Sequence, residues 1–413
     1  MRKLIKDIPI RSIFHLFLVR GSIYLFPFIT LPVITKSLGV SNFGILSIFL
    51  AAQQYMIMLV EYGFTLTGSR DIARAENKKQ EQNVVTEIIY CRSLMFLLCV
   101  ICVGAGAILT KYNENTVCYF IMIVSIFSTI FNQSYFFIGK EKTGFIVISS
   151  TISRILSIIF VLFFVKNKND IDFAMLAYSF NIIIPNILSI LYMVCKLNFS
   201  LFIRTTSIEI KKRFKSGFDI FISNVFTNIY SSLTLVYLGF AKNPIESGYY
   251  SSADKLKGAA QGVLYPIAQA FFPRISKVDS KDFFKLWFKS SCILVSFAIV
   301  LVMILILLSD YVYKIFLGAE FISGISVYYA LSLSIISISF GIAFAQNLYL
   351  VRGQTKILRT IYLVVSVLHL AYMPLLVHIY GALGAALSVL LTETMASILM
   401  FIFRKRCYIC NQV

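Results

Sequence analysis

The sequence predicts an all-α integral membrane protein of twelve transmembrane helices, arranged as two six-helix lobes around a central cavity. Three observations predict it. Hydrophobic residues fill 58% of the 413 positions and charged residues only 14%, which is too apolar for an ordinary soluble chain. Apolar runs of about 20 residues, enough to cross about 30 Å of hydrocarbon, recur from end to end with the charges confined to short gaps. Lysine and arginine also segregate onto alternate gaps.

In chain order the spans read 13–34, 42–62, 88–110, 117–138, 143–165, 172–195, 217–239, 256–275, 287–309, 322–347, 357–377 and 381–403. An even number returns both termini to one side. Of the 38 Lys and Arg, 27 fall in gaps on that side and 8 on the other, while Arg20, Arg92 and Arg154 lie within or at the edge of spans. The bias places both termini in the cytoplasm. It also accounts for the net charge of +19 without a nucleic-acid partner. The N-terminus starts basic and turns apolar, as a signal peptide does. Residues 13–34 nevertheless contain Arg20, Pro27 and Pro32 and no small-residue cleavage site, so they are read as a first span.

The longest inner gap, 196–216, carries six basic residues and divides the chain. The expected organisation is an N-terminal lobe over 1–195, a basic cytoplasmic linker over 196–216, a C-terminal lobe over 217–403 and a tail over 404–413. The linker is read as solvated, with an amphipathic helix on the inner leaflet as the alternative. A weak internal repeat supports two lobes in the same orientation. Residues 132–145 and 346–359 align without gaps to pair Tyr135 with Tyr349, Gly139 with Gly353 and Lys142 with Lys356.

Much of the chemistry is informative by absence. No GxxxxGK[ST], HExxH or nucleophile elbow occurs, and the three histidines have no ligand spacing. Cys407 and Cys410 have zinc-site spacing, but the tail holds no second Cys or His pair, so neither a metal nor a cofactor is expected. The outward gaps are short, which leaves transport ahead of catalysis. A mid-membrane charge costs about 2.5–3.5 kcal/mol on insertion scales, so Arg154 and Glu393, both mid-span, are expected to face a wet cavity or a partner. Arg20 and Arg92 lie nearer the cytoplasmic ends, where reaching the interface is an equal alternative. Arginine forks suit phosphate oxygens, and cations converging on a cavity favour an anionic head group. Pro27, Pro32, Pro185, Pro266 and Pro374 offer places for helices to bend.

The stretch 249–277 organises this reading. It places Asp254 and Lys255 at the mouth of an apolar segment that runs through Gly262 and Pro266 to a basic exit at Arg274 and Lys277. Ala253-Asp254-Lys255-Leu256, Gly262-Val263-Leu264 and Pro273-Arg274-Ile275-Ser276-Lys277 resemble the eighth span of the lipid II flippases of the MurJ type, with Lys in place of Arg. More of the chain resembles the Wzx-type polysaccharide-unit flippases. The features are Leu38-Gly39 before Phe43-Gly44, Glu61-Tyr62-Gly63 leading to Arg70-Asp71-Ile72-Ala73, residues 133–142, and Ser216-Gly217-Phe218 with Asn224 beyond.

The resemblance covers nearly the whole chain and implies a multidrug/oligosaccharidyl-lipid/polysaccharide (MOP) exporter fold in a bacterial inner membrane. It implies a non-enzymatic flippase that moves an undecaprenyl-diphosphate-linked O-antigen or polysaccharide repeat unit to the periplasmic leaflet, coupled to H+ or Na+. Membrane lipids, a polysaccharide polymerase and a chain-length regulator are the partners this implies. Arg154, Lys255 and Arg20 are the candidate substrate-binding cations. Asp254, Glu393 and Glu61 are the candidates for balancing those cations or binding a coupling ion. Only Asp254 and Lys255 match the family's motif by position. Two other readings remain. A drug/cation antiporter of the same superfamily would have a carboxylate-rich cavity, and a polysaccharide polymerase or ligase would have a large outward loop with catalytic Arg or His.

Overall fold

The computed structural model describes residues 10–200, 205–228, 232–277 and 280–404, with side chains from Phe26 onward except at 223, 227, 228, 273, 277, 280 and 281. Among the described residues every regular element is a helix. Eight stretches are long and apolar enough to cross a membrane. Two of them, Phe26–Arg74 and Thr355–Phe403, contain sharp breaks at glycine. The seventh and eighth predicted spans are not among the eight: the seventh runs through 229–231, outside the described residues, and the eighth is broken at Gly262 and Val263.

Chain contacts define two compact units, one of residues Ser37–Val236 and the other of the chain on either side of it. The first unit contains the second half of α1 (Ile10–Glu61), then α2 (Phe64–Arg74), α3 (Lys78–Leu109), α4 (Thr116–Thr129), α5 (Ser134–Gly139), α6 (Thr143–Phe164), α7 (Ile171–Leu191) and α8 (Ser207–Asn228). After α9 (Thr234–Ala241), the second contains α10 (Pro244–Gln261), α11 (Leu264–Lys277), α12 (Ser280–Leu307), α13 (Ile325–Phe344) and α14 (Thr355–Phe403). The expected lobe boundary at 217 falls inside α8, which packs wholly within the first unit.

The outward faces of the helices are apolar and small polar residues stand among the buried ones, which is the pattern of a chain solvated by lipid. On α6 the buried positions include Ser149, Ser153 and Ser157, four apart on one face, while Ile148, Ile155, Ile159 and Phe163 are exposed. Small residues let α6 and α7 approach closely, and the Ser157 hydroxyl donates across to the carbonyl of Ala177. The larger side chains close the core of each unit. In the first, Tyr62, Phe64, Ile88, Tyr135 and Phe137 cluster together. In the second, Phe271, Trp287, Ile335, Leu348 and Tyr349 do so, with Trp287 Nε1 donating to Ala343 O at 2.9 Å.

The backbone leaves helical angles at Gly39 (φ 70°) within α1 and at Gly381 (φ 58°) within α14, and not at Pro27, Pro32 or Pro374. Left-handed φ suits glycine, which has no Cβ to clash. Both breaks are pinned by polar contacts. Ser37 Oγ donates to Val165 O (3.1 Å) and Asn42 Nδ2 to Lys168 O (2.7 Å) beside the first. At the second, Ala382 N donates to Glu246 Oε2 (2.6 Å) and Lys242 Nζ to His378 O (2.9 Å). Pro266 does not kink a continuous span either. The chain breaks at Gly262 and Val263, and Pro266 lies in the first turn of α11, where proline is tolerated.

Residues 207–216 of the expected linker are the start of α8. Thr206 and Glu209 form a capping box, with Thr206 N donating to Glu209 Oε2 at 3.0 Å and Glu209 N to Thr206 Oγ1 at 3.3 Å. These bonds and the one from Thr205 hold the Glu209 carboxyl below its usual range. Arg213 then reaches Glu87 on α3 (2.6 Å) and Asp71 on α2. The motif residues meet at this junction. Tyr62 (φ 46°) and Gly63 (φ 78°) turn the chain from α1 to α2, and Tyr62 stacks on Phe221 of α8 at 4.2 Å. A Cβ at Gly217 would stand 3.0 Å from Tyr62 O, so glycine lets α8 lie against the turn.

The internal repeat is present in the backbone with a shifted register. Lys140 N, Glu141 N and Lys142 N donate to the carbonyls of Phe136, Ile138 and Phe137, and Arg352, Gly353 and Gln354 make the same set to Leu348, Leu350 and Tyr349. Glu141 (φ 58°) is therefore the counterpart of Gly353 (φ 69°), two positions away from the letter-by-letter match with Gly139. Gly139 is needed for another reason: a Cβ there would stand 2.6 Å from Ser69 O and 2.9 Å from Ile72 Cβ. Gly139→Ala is expected to destabilise the purified protein by about 1–3 kcal/mol through overpacking against backbone, while Glu141→Gly is neutral or stabilising. Thermal unfolding in detergent micelles reads both.

Candidate functional site

The second unit holds a buried acid–base group. Helix α10 begins well before the predicted eighth span, because Asn243 caps it by accepting from Glu246 N at 3.0 Å and Pro244 occupies its first turn. Tyr250, Ser251, Ser252 and Ala253 are thus buried helix, and Asp254 and Lys255 lie within α10 and not at its mouth. Neighbouring residues of a helix diverge by about 100°, whereas residues three apart share a face. Accordingly, Lys257 closes the ion pair with Asp254, its Nζ 2.7 Å from Oδ1. Its side chain is only 12% exposed against 45% for Asp254.

Lys257 is also within electrostatic range of Glu393 on α14 and of Tyr265 on α11. Gln261 Nε2 donates to Tyr265 Oη at 3.4 Å. Around Glu393, α14 supplies Tyr362 and Tyr372 within electrostatic range. Tyr372 Oη and Thr392 Oγ1 lie 2.6 Å apart, and His369 Nδ1 lies 2.7 Å from the same hydroxyl. Glu393 is therefore close to one ammonium and several phenols inside the second unit.

The first unit pairs Glu61 with Arg92. Arg92 is fully buried, so of its two equal alternatives the structure shows the inward one: α3 turns it away from the interface. One guanidinium nitrogen donates to the carbonyl of Asn132, and the group lies 5.4 Å from the ring centre of Tyr135. Asn132 Nδ2 in turn donates to Glu61 Oε1 at 3.1 Å, so one residue links the two charges. The link depends on the break between α4 and α5, which frees the Asn132 carbonyl from a helix ladder. Beside Glu61 lies a cavity of about 290 Å³ walled by α1, α6 and α7 and the α4–α5 break.

The remaining predicted residues are more scattered. Arg154 is half-buried on α6 between the buried Ser153 and Ser157, one turn beyond Ser150 of the cavity wall. Lys255 is partly buried on α10. Arg20 belongs to α1, but its side chain lies outside the described residues, as do Cys407 and Cys410. Among the described residues no group of three or more His, Cys, Asp or Glu could hold a metal. The sequence reading named Asp254 and Glu393, and the structure sets each of them near Lys257. That reading missed Lys257, for which the i, i+3 spacing from Asp254 was the available signal.

This fold defines a class. It matches an inward-facing multidrug resistance MATE family transporter of the MOP superfamily with a TM-score of 0.74, over 96% of this chain and 99% of that one, at 14% identity. It matches the lipid II flippase MurJ in an inward closed conformation at 0.73, over 94% and 87% of the two chains, at 16% identity. The protein is an all-α, multi-pass membrane protein with the MOP-type fold, as the sequence led one to expect. Residues 10–279 match the family described as polysaccharide biosynthesis protein. A proposed O-antigen transporter of Shigella dysenteriae is 32% identical over 399 residues, covering 94% of this chain and 98% of the relative. One from Escherichia coli (strain K12) is 28% identical over 403 residues, covering 95% and 96%. The chain belongs to the polysaccharide biosynthesis protein family.

A buried charge left without its partner costs about 3–5 kcal/mol. Glu61→Gln is therefore expected to lower stability by about that amount, and Arg92→Met likewise. The double variant should recover about 1–3 kcal/mol relative to the sum of the two. A double-mutant cycle by thermal or denaturant unfolding in micelles measures the coupling, and strict additivity would show that the two charges do not interact.

Proposed function

We propose that the protein is a flippase of bacterial polysaccharide synthesis. It carries an undecaprenyl-diphosphate-linked O-antigen or related repeat unit from the cytoplasmic to the periplasmic leaflet of the inner membrane, with both termini in the cytoplasm. The observation that carries this reading is the 32% identity to the Shigella dysenteriae relative over essentially the full length of both chains. Two relatives named as transporters, and fold neighbours that are a flippase and a transporter, set the protein apart from enzymes.

In the mechanism proposed, the two units alternate access to the two leaflets. Arg154, Lys255 and Arg20 are assigned to the diphosphate. Asp254, Lys257 and Glu393 form a group of two carboxyls and one ammonium whose net charge changes when H+ or Na+ binds, and moving one charge through the membrane field is worth about 2.3 kcal/mol per 100 mV. A polysaccharide polymerase and a chain-length regulator would receive the delivered unit. The Asp254–Lys257 ion pair and the reach of Lys257 to Glu393 support placing the coupling group here.

Deleting the gene is expected to trap single lipid-linked repeat units in the cytoplasmic leaflet, measured by leaflet-specific labelling. Units that reach the outer surface unpolymerised would instead make the protein a polymerase. In the complemented strain, Lys257→Met is expected to slow translocation about tenfold or more, because it leaves both Asp254 and Glu393 without their cation. This corresponds to about 1.4 kcal/mol of barrier. The charge-conserving Lys257→Arg should retain a larger share, and translocation unchanged in Lys257→Met would remove the group from the mechanism.

A further inference from the structure

We propose that the cavity beside Glu61 in the first unit is a sugar-binding subsite that holds one hydroxyl-rich ring of the carried glycan. The inference rests on the flippase reading and names what that reading leaves open, the part of the molecule that recognises carbohydrate. The cavity is lined by Glu61, Asn132, Ser150, Asn181, Asn186 and Phe145, among others. Its lining contains one charged side chain, a carboxylate, and no lysine or arginine. Arg92 is bonded to Asn132 and stands behind this wall. A diphosphate would be repelled there, so the cavity suits the neutral part of a glycolipid and not its charged link.

Amides and hydroxyls both donate and accept, which matches the dual character of sugar hydroxyls. One polar group in the wall is left unanswered. Asn181 Nδ2 donates to Ser157 Oγ at 3.1 Å and to Tyr178 O at 3.3 Å, but its buried Oδ1 accepts no hydrogen bond from any described residue. An orphaned buried acceptor is costly, and a ligand hydroxyl would satisfy it. Phe145, in the lining, is held by stacking on the buried Phe137 at 4.4 Å with their planes 21° apart, and adds an apolar ring to the polar wall. Small-molecule pockets hold about 300–1,000 Å³, so about 290 Å³ accommodates a single ring and not a whole repeat unit.

The placement fits loading. Glu61 ends α1, Asn132 precedes α5, Phe145 opens α6 and Asn186 lies near the end of α7. All stand on the side where Arg70, Arg74, Lys140 and Lys142 place the cytoplasm by charge bias.

The test uses the full-length protein in detergent micelles and two probes: undecaprenyl diphosphate, and the same lipid bearing one hexose. The wild type is expected to bind the glycosylated lipid about tenfold more tightly than the bare one, the scale at which a site built for hydroxyls discriminates. Asn181→Ala, which removes the acceptor, and Ser150→Phe, which fills the cavity, should each bring the two affinities to within about twofold while binding of the bare lipid is unchanged. Unfolding temperatures identify any variant that has simply failed to fold, and the other variant then carries the test. Equal affinities in the wild type, or equal loss of both lipids in the folded variants, would overturn the subsite and leave the flippase reading standing. Failure of the wild type to bind either lipid would overturn the flippase reading, and the subsite with it.

Discussion

A charge placed inside helices of membrane length must find its counter-charge within the protein, because lipid offers none. This requirement organises both units. In the first, Arg92 is answered by Glu61 through Asn132. In the second, Lys257 is answered by Asp254 and Glu393. Each solution makes a demand on the backbone around it. The Asn132 carbonyl can accept from Arg92 only because α4 stops before it, and Lys257 comes under Asp254 only because α10 is one continuous helix from its cap at Asn243. Local breaks and caps are therefore part of how the charges are held.

The same economy governs where the long helices turn. Prolines stay inside helices whose carbonyls they merely leave unpaired, whereas glycines at 39 and 381 take the left-handed angles that re-aim the chain. Each glycine turn is then fixed by side-chain bonds to a distant part of the same unit: Ser37 and Asn42 beside Gly39 contact the chain after α6, and Glu246 and Lys242 contact α14. Glu246 serves two ends at once. It completes the first turn of α10 and accepts from the backbone of Ala382, so the start of one helix and the restart of another are set by one residue.

The class of fold was legible because hydropathy and charge bias are summed over many residues and survive local errors. The site was less legible, and the reason is angular. Span edges drawn from hydropathy begin the eighth helix at Leu256, which makes Asp254 and Lys255 look like neighbours at a mouth. The Asn243 cap and Glu246 were visible in the sequence and begin the helix at Pro244, which puts Asp254 and Lys257 on one face. The capping box at Thr206 and Glu209 was similarly visible and would have turned the supposed linker into α8. Arg92 was harder. Its depth follows from which face of α3 meets the α4–α5 break, a tertiary fact with no periodic signature. The repeat was visible as letters but not in register, since Gly139 and Gly353 are glycine for different reasons, one for close approach and one for positive φ.

Two units that repeat one turn geometry have thus come to hold different chemistry. The polar wall of the first is built from amides and serine hydroxyls around a single carboxylate. The polar core of the second gathers an ammonium, two carboxylates and several phenols. Hydroxyl-bearing ligands are discriminated by neutral groups at fixed hydrogen-bonding distance, and charge is moved by groups whose protonation or ion occupancy can change. A single cluster does both poorly, because the flexibility of charge that coupling requires blurs the fixed pattern that recognition requires. In the mechanism proposed, the two tasks fall to separate units, so that either could be altered without unbalancing the buried charge of the other.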